Sequence, residues 1–367
     1  MTTPLVLDSL DIQGFRPFDH FRVERLGRVT LFTGKNNVGK SSLLEAIWLY
    51  AYQGAVPIIW QILESRDEGR APRLGSPRNF EDPAPVVKNL FHGRKEIRDH
   101  LGSIQIGPVD SPDKALTVAL GWYKIHIDEE GGRELKPLQF EDFNTADQPI
   151  LALAVRVGSQ PEVVYRFDRR YPESEKKSRC IFVSANGLNR VEVGQLWDDI
   201  TLTNLEEDVL SSLRIIAPEV ERVNLIDNAD LGRDRGRIAK TKISVLPDPV
   251  PLRSLGEGMN RLFGMALALV NAKDGVLLID EIESGLHYSV QPDVWRLVFE
   301  TAHRLNVQVF ATTHSWDCIE AFQQAADENK QEEGILIRLE NKRGRIVATE
   351  FDERRLGIAT REEIEVR

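Results

Sequence analysis

Residues 34–42, GKNNVGKSS, restrict the possible folds of this chain more than any other stretch. Val29 to Thr33 before them is a short apolar, β-prone run. Ser41 to Tyr50 after them places Leu43, Leu44, Ile47 and Trp48 at helical spacing. Strand, glycine turn and helix together form an anion cradle, because backbone N–H groups converge on the positive end of a helix. Gly34 and Gly39 supply backbone conformations closed to residues with a Cβ. In this Gly-x-x-x-x-Gly-Lys-Ser pattern, Lys40 reaches the outer phosphates of a nucleotide and Ser41 is placed to ligate Mg²⁺. Lys35, Asn36, Asn37, Val38 and Ser42 complete the cradle. The pattern arises by chance about once in 100 chains of this length. A plain glycine turn before a surface helix is therefore the weaker reading.

Composition sets outer bounds. With 367 residues and 41% hydrophobic content, the chain can bury a large core. A net charge of −10 excludes a wholly basic surface that coats nucleic acid, though not a local basic face. Two cysteines, Cys180 and Cys318, provide no disulfide framework and no metal-ligand spacing; they read as reduced core thiols. The N-terminal segment lacks the basic and apolar regions of a signal peptide, and no apolar run reaches membrane-spanning length. The expectation is a soluble, cytoplasmic protein.

Alternating or β-rich runs mark LVLDSLDIQGF, RVTLFTG, ALTVALGWYKIHID, ILALAVRVG, EVVYRFD and CIFVS as strands. Residues 54–100 read as irregular apart from one helix at Pro57–Ser65. DEEGGRE is a hairpin turn. Residues 191–220 are helical, with Leu205, Val209, Leu210, Leu213 and Ile216 on one face and Pro218 as the stop. RVNLID and AKTKISVL are strands around a polar loop, and GILIRLEN and GRIVATEFD form a closing hairpin. No sustained heptad run predicts a long coiled coil.

A second set of polar residues falls at predicted strand ends. Val276 to Ile279 is a buried strand followed by Asp280 and Glu281. Carboxylates at the C-terminal end of a parallel strand face the ligand crevice. Asp280 is then placed to hold Mg²⁺ with Ser41, and Glu281 to take a proton from an attacking water. Asn306 to Ala311 repeats the pattern and ends in TTHS, which puts His314 at a third strand end. A lone histidine is more often structural, but this one sits at a crevice position. PLRSLGEGMNRLFGMALALV is a glycine turn opening a helix marked by Leu262, Met265, Ala266 and Leu269.

The order of GKNNVGKSS, SLGEGMNRL, LLIDEIESGLHYSV and VQVFATTHS resembles ABC-type ATPases of the RecF, SMC and OLD-like branch. The similarity is closest to OLD-like AAA ATPases of phage-defence type that lack a TOPRIM domain. GFRPFDHFRV ahead of the glycine loop is similar to the opening of those proteins. The resemblance covers residues 3–50 and 250–325 well and the middle mainly by the order of elements. It implies an α/β fold: an ABC-type P-loop ATPase head with an antiparallel β subdomain and a helical lobe. The single domain would divide into 1–54, N-terminal strands and P-loop; 55–183, an irregular and β-rich insertion; 184–262, helical lobe and signature; 263–325, Walker B, D-loop and switch; and 326–367, closing hairpin and tail.

By resemblance, Lys40 and Ser41 are the Walker A lysine and hydroxyl, Asp280 and Glu281 the Walker B aspartate and catalytic glutamate, and His314 the switch histidine. Ser284–His287 would be the D-loop. Gly256, Glu257 and Gly258 would form the signature cradle, with Ser254 left by a competing register. Where the family places a glutamine after a middle strand, this chain has Ala185 and Asn186; Asn186 or Gln195 are the substitutes. The cofactors implied are ATP and Mg²⁺. The implied partners are a second copy or more of this chain, a separate nuclease or toxin effector, and DNA, with no membrane. Basic clusters at Arg166–Arg170, Lys176–Arg179, Arg233–Lys242 and Lys342–Arg345 read first as solvated loops. The resemblance leaves three readings: an ATPase subunit of a defence or surveillance complex, a RecF-like repair ATPase acting on DNA by itself, and an ATP-binding scaffold without turnover. The third is disfavoured by Glu281. Only 53 residues follow His314 (367 − 314), and a helix and a hairpin fill most of them, so no TOPRIM nuclease is expected.

Overall fold

The computed structural model describes residues 4–70, 84–94, 102–127, 132–138, 149–167, 179–227, 236–328 and 334–351. In chain order, β1 (Leu10–Phe15) and β2 (Phe18–Val23) form a hairpin, and β3 (Val29–Thr33) runs through the glycine loop into α1 (Lys40–Ala51). α2 (Val56–Glu64) and the short α3 (Ala84–Val87) follow. Then come β4 (Ser103–Gly107), β5 (Leu116–Ile127), β6 (Arg133–Pro137), β7 (Ile150–Val157), β8 (Val163–Arg166) and β9 (Cys180–Val183). α4 (Arg190–Ile200) and α5 (Leu205–Leu213) precede β10 (Val220–Asp227), β11 (Arg237–Ile243) and β12 (Val250–Pro251). The last stretch holds α6 (Glu257–Asn271), β13 (Val276–Ile279), α7 (Gln291–Arg304), β14 (Gln308–Thr312), α8 (Trp316–Glu328), β15 (Gly334–Lys342) and β16 (Arg345–Phe351).

One sheet has the order β16-β15-β3-β14-β13-β9, parallel throughout except for the β15–β16 hairpin. Strands buried on both faces read as near-continuous apolar runs, which explains VLLI and, with two buried threonines, VTLFT. Successive side chains then serve two different cores. On β13, Leu277 and Ile279 pack with α5 to α8, while Val276 and Leu278 pack with α1, α2 and the second sheet. That second sheet is antiparallel, β2-β1-β4-β5-β7-β8 with β6 also on β5, and it joins the N-terminal hairpin to the middle of the chain. A third sheet, β10-β11-β12, lies beside α4 and α5.

The structure departs locally from sequence expectation. LVLDS stays outside the first strand, because the Gln308 side chain takes both the N–H and the C=O of Leu7 at 2.9 and 2.6 Å. Arg16 and Pro17 turn GFRPFDHFRV into two strands, with Phe15 paired to Phe18. α5 ends at Leu213, before Pro218. Proline disfavours helical geometry at Ala217, and the chain tightens into turns such as Ile215 N–H to Ser212 C=O. Residues 128–131 of the DEEGG turn lie outside the described residues, although its flanks pair as Ile127 with Arg133. Most of the two basic clusters at 166–170 and 176–179, and residues 228–235, also lie outside.

Candidate functional site

Parallel pairing brings the C-terminal ends of β3, β14 and β13 to one edge, with Leu31 beside Ala311 and Ala311 beside Ile279. The glycine loop, the Asp280–Glu281 pair and the TTHS turn therefore meet there. They flank a cleft of about 680 Å³ lined by Asn36, Asn37, Gly39, Lys40, Ser41, Ser42, Asp280 and Glu281. Arg16, Arg66, Asn89, Phe91 and Arg94 form its outer wall.

The loop is held tightly. Gly34 has φ 145°, and a Cβ there would lie 2.5 Å from the Leu339 carbonyl. Gly39, at φ 90°, caps α1, and a Cβ would press on Phe18 and Pro17 at 3.0 Å. Asn37 takes φ 66° without that freedom. Val38 is buried, Lys35 is exposed, and Ser42 is buried beneath the loop. No acidic side chain occupies the first turn of α1, and no side chain caps it. Its open N–H groups and positive dipole suit an anion. Lys40 Nζ donates to the carbonyls of Gly34 and Lys35 at 2.6 and 3.0 Å. Burial pulls the Lys40 ammonium below the usual lysine range, while Asp280, Glu281 and Glu283 push it back up.

On the opposite wall, the Thr312 hydroxyl donates to Asp280 Oδ1 at 2.6 Å and accepts from the Glu281 N–H at 2.9 Å. One threonine thus fixes both acids. Glu281 has φ 48°, a left-handed backbone costly for a residue with a long side chain. His314 is half exposed, with Nδ1 3.8 Å from Glu281 Oε1 and 3.3 Å from Glu283 Oε1. Glu283 Oε1 also accepts the His314 backbone N–H at 3.1 Å. The geometry brings His314 beside the glutamate pair, although it does not line the cleft.

The glycine turn of the third motif lies apart. Gly256 precedes α6 at φ 114°, and Gly256 and Glu257 are exposed. None of Gly256, Glu257 and Gly258 lines the cleft. Gly258 packs against the 284–287 turn, where a Cβ would lie 2.8 Å from the Gly285 carbonyl. Ser254 is exposed and donates to the Pro251 carbonyl at 2.6 Å. Asn186 lines a separate groove with Glu257, Ser284 and Gly285, whereas Gln195 is exposed on α4 outside it.

Sequence reading gave no role to Thr312, Glu283, Arg261 or the arginines of the outer wall. Arg16 and Arg66 both pair with buried Glu45 of α1, at 2.7 and 2.6 Å, and Arg66 also donates to Ser42 Oγ at 3.2 Å. Arg16 and Arg94 share Glu68. These pairs span tens of residues, so nothing in local spacing announces them. Arg261 left a faint signal, a charge between Met259 and Leu262 on an otherwise apolar stripe.

The donor set suits a nucleotide and its metal. Mg²⁺ is commonly held by one or two carboxylates together with substrate phosphates, and Asp280 with the Ser41 hydroxyl supplies that. Residues 220–317 match the family described as "AAA domain, putative AbiEii toxin, Type IV TA system", and residues 6–56 match "AAA ATPase domain". An "ATP/GTP phosphatase" of Helicobacter pylori is 23% identical over 88% of this chain and 89% of its own length. The crystal structure of an SmcHead bound to the C-winged helix domain of ScpA superposes with a TM-score of 0.50, at 14% identity, over 94% of this chain and 97% of that one. An SMC head domain from Thermotoga maritima gives 0.42 at 14% identity, over 94% and 98%. With residues 6–56 and 220–317 matched to AAA ATPase domains and most of its length similar to a protein named an ATP/GTP phosphatase, the chain is an enzyme that hydrolyses ATP. Its fold is that of an SMC head, with no long coiled coil among the described residues.

Proposed function

We propose that ATP clamps two copies of this chain together, each signature turn closing the other's cleft, and that hydrolysis releases them. The observation that carries this reading is the separation of Gly256–Gly258 from the cleft that holds Lys40, Ser41, Asp280 and Glu281. An exposed helix N-terminus with an open glycine turn is suited to contacting a phosphate held by another molecule.

Within the cleft, Lys40 and the α1 N-terminus grip the β- and γ-phosphates. Ser41 and Asp280 would hold Mg²⁺, which offsets charge on the phosphate oxygens. Glu281 accepts the proton of the attacking water, and His314 completes the polar wall beside it. Such chemistry is mostly positioning and electrostatics, so few side chains suffice.

The output is mechanical. Opening and closing of the pair controls engagement of DNA or of a separate effector, in anti-phage defence or DNA surveillance. A family description that names a toxin of a TA system supports an effector partner, and the relative named an ATP/GTP phosphatase supports turnover. The test is light scattering of the Glu281→Gln variant. A doubled mass with Mg-ATP and not without it is expected. An unchanged mass with nucleotide bound would sink the clamp.

A further inference from the structure

Arg261 lies in the first turns of α6, just after the Gly256–Gly258 turn, and is buried. Its Nη1 donates to the Ser184 carbonyl at 2.6 Å. Its Nη2 donates to the carbonyls of Asp280 and Glu281 at 2.8 and 3.2 Å. Ser184 follows β9 and Asp280 follows β13, adjacent parallel strands with Val183 beside Ile279. One planar cation thus closes the ends of two strands.

The same contacts bear on Glu281. A left-handed backbone persists only where its surroundings over-determine it. Here the Glu281 N–H is held by Thr312 of β14, and its C=O by Arg261 of α6 and by the Ser284 N–H at 2.9 Å. α6 meets the same segment a second time, where Gly258 touches Gly285. Burying a guanidinium to bond main-chain carbonyls is a costly way to stabilise a fold, since an apolar residue of similar volume often does as well. Nη2 reaches the carbonyls of both Asp280 and Glu281.

We infer that Arg261 is a positioning residue for hydrolysis: it holds the Glu281 backbone and ties it to the signature turn of the same chain. Contact made at Gly256–Gly258 is then felt at Glu281 through one side chain. This inference rests on the roles given to Glu281 and the signature turn above.

The experiment compares the full-length wild type with Arg261→Lys and Arg261→Met. Steady-state ATPase kinetics, binding of the fluorescent analogue mant-ATP and thermal melting are measured for each. Lysine keeps the charge, but its compact ammonium cannot span three carbonyls as the planar fork does. Loss of one or two charge-assisted bonds predicts a kcat lower by about 10- to 100-fold in Arg261→Lys. Arg261→Met should be lower still. The mant-ATP Kd should stay within about threefold, because ground-state binding is untouched. If Arg261→Met fails to fold, Arg261→Lys decides. A folded Arg261→Lys with wild-type kcat overturns the inference and leaves the proposed function standing. So does a Kd that worsens in step with kcat, which marks a general structural role. A wild type that binds mant-ATP without turning ATP over removes the proposed function and this inference together.

Discussion

The phosphate cleft and the Gly256–Gly258 turn are built in opposite ways. In the cleft the charged groups that face the loop have second attachments: Lys40 to two carbonyls, Asp280 to Thr312, Arg66 to Glu45 and Ser42. At the turn, Gly256 faces open space and Glu257 pairs only with exposed Arg253 among its described ion pairs. A surface whose charged groups are already tied in place is one that works alone. A glycine turn presented to open space is one that works against something else. The contrast predicts which defects act within one chain and which act between two.

The largest effect should come from Glu281→Gln, which removes the proton acceptor. A general base contributes about 10²- to 10⁴-fold, so single-turnover ATPase rates should fall by that order while mant-ATP affinity holds. Normal turnover would show that the two walls of the cleft have been misread. Next is Lys40→Ala, which leaves the cleft without its ammonium. Loss of charge-assisted phosphate contacts should weaken nucleotide binding by about 100-fold by fluorescence titration. Equal affinity would mean that the loop is not the grip.

A mixture sharpens the comparison further. Lys40→Ala and Gly256→Ala should each be inactive alone if the two elements act across a two-fold pair. In a 1:1 mixture half the pairs are mixed, and each mixed pair keeps one intact composite site of two. Activity of about a quarter of wild type is therefore expected in such a symmetric pair. No recovery would place both elements in the service of one chain. The smallest effect concerns stability. Gly256→Ala forces a Cβ onto φ 114° and ψ 158°, an extended positive-φ conformation that is essentially glycine-only, at a cost of about 1–3 kcal/mol readable by denaturant titration.

The parts legible in the sequence were those with short-range spacing. Val29–Thr33 and Val276–Ile279 are legible to the residue, because each is a short β-prone run bounded by the motif residues that follow it, Gly34 and Asp280. The glycine loop was equally plain, since Gly34 and Gly39 are demanded by backbone geometry and not by a distant neighbour's identity. Less visible were contacts across long separations. Gln308 takes over the backbone of Leu7 from 301 residues away, and Arg16 reaches Glu45 and Glu68 through folding alone. Arg261 stands out in the sequence only as a charge on the apolar stripe of α6. Only the approach of β9 to β13 reveals the carbonyls that it serves.

Glu281 shares its left-handed backbone with Arg16, Asn37 and Arg94, at φ 49°, 66° and 47°, and all four line one cleft. Each such residue withholds about 1–3 kcal/mol from the folded state. A library of variants sorted by heat resistance should therefore enrich glycine at Asn37 and Glu281 and lose catalysis at Glu281, whereas Arg16 is kept by its pairs with buried Glu45 and with Glu68. For this chain, selection for robustness and selection for turnover pull in opposite directions at Glu281.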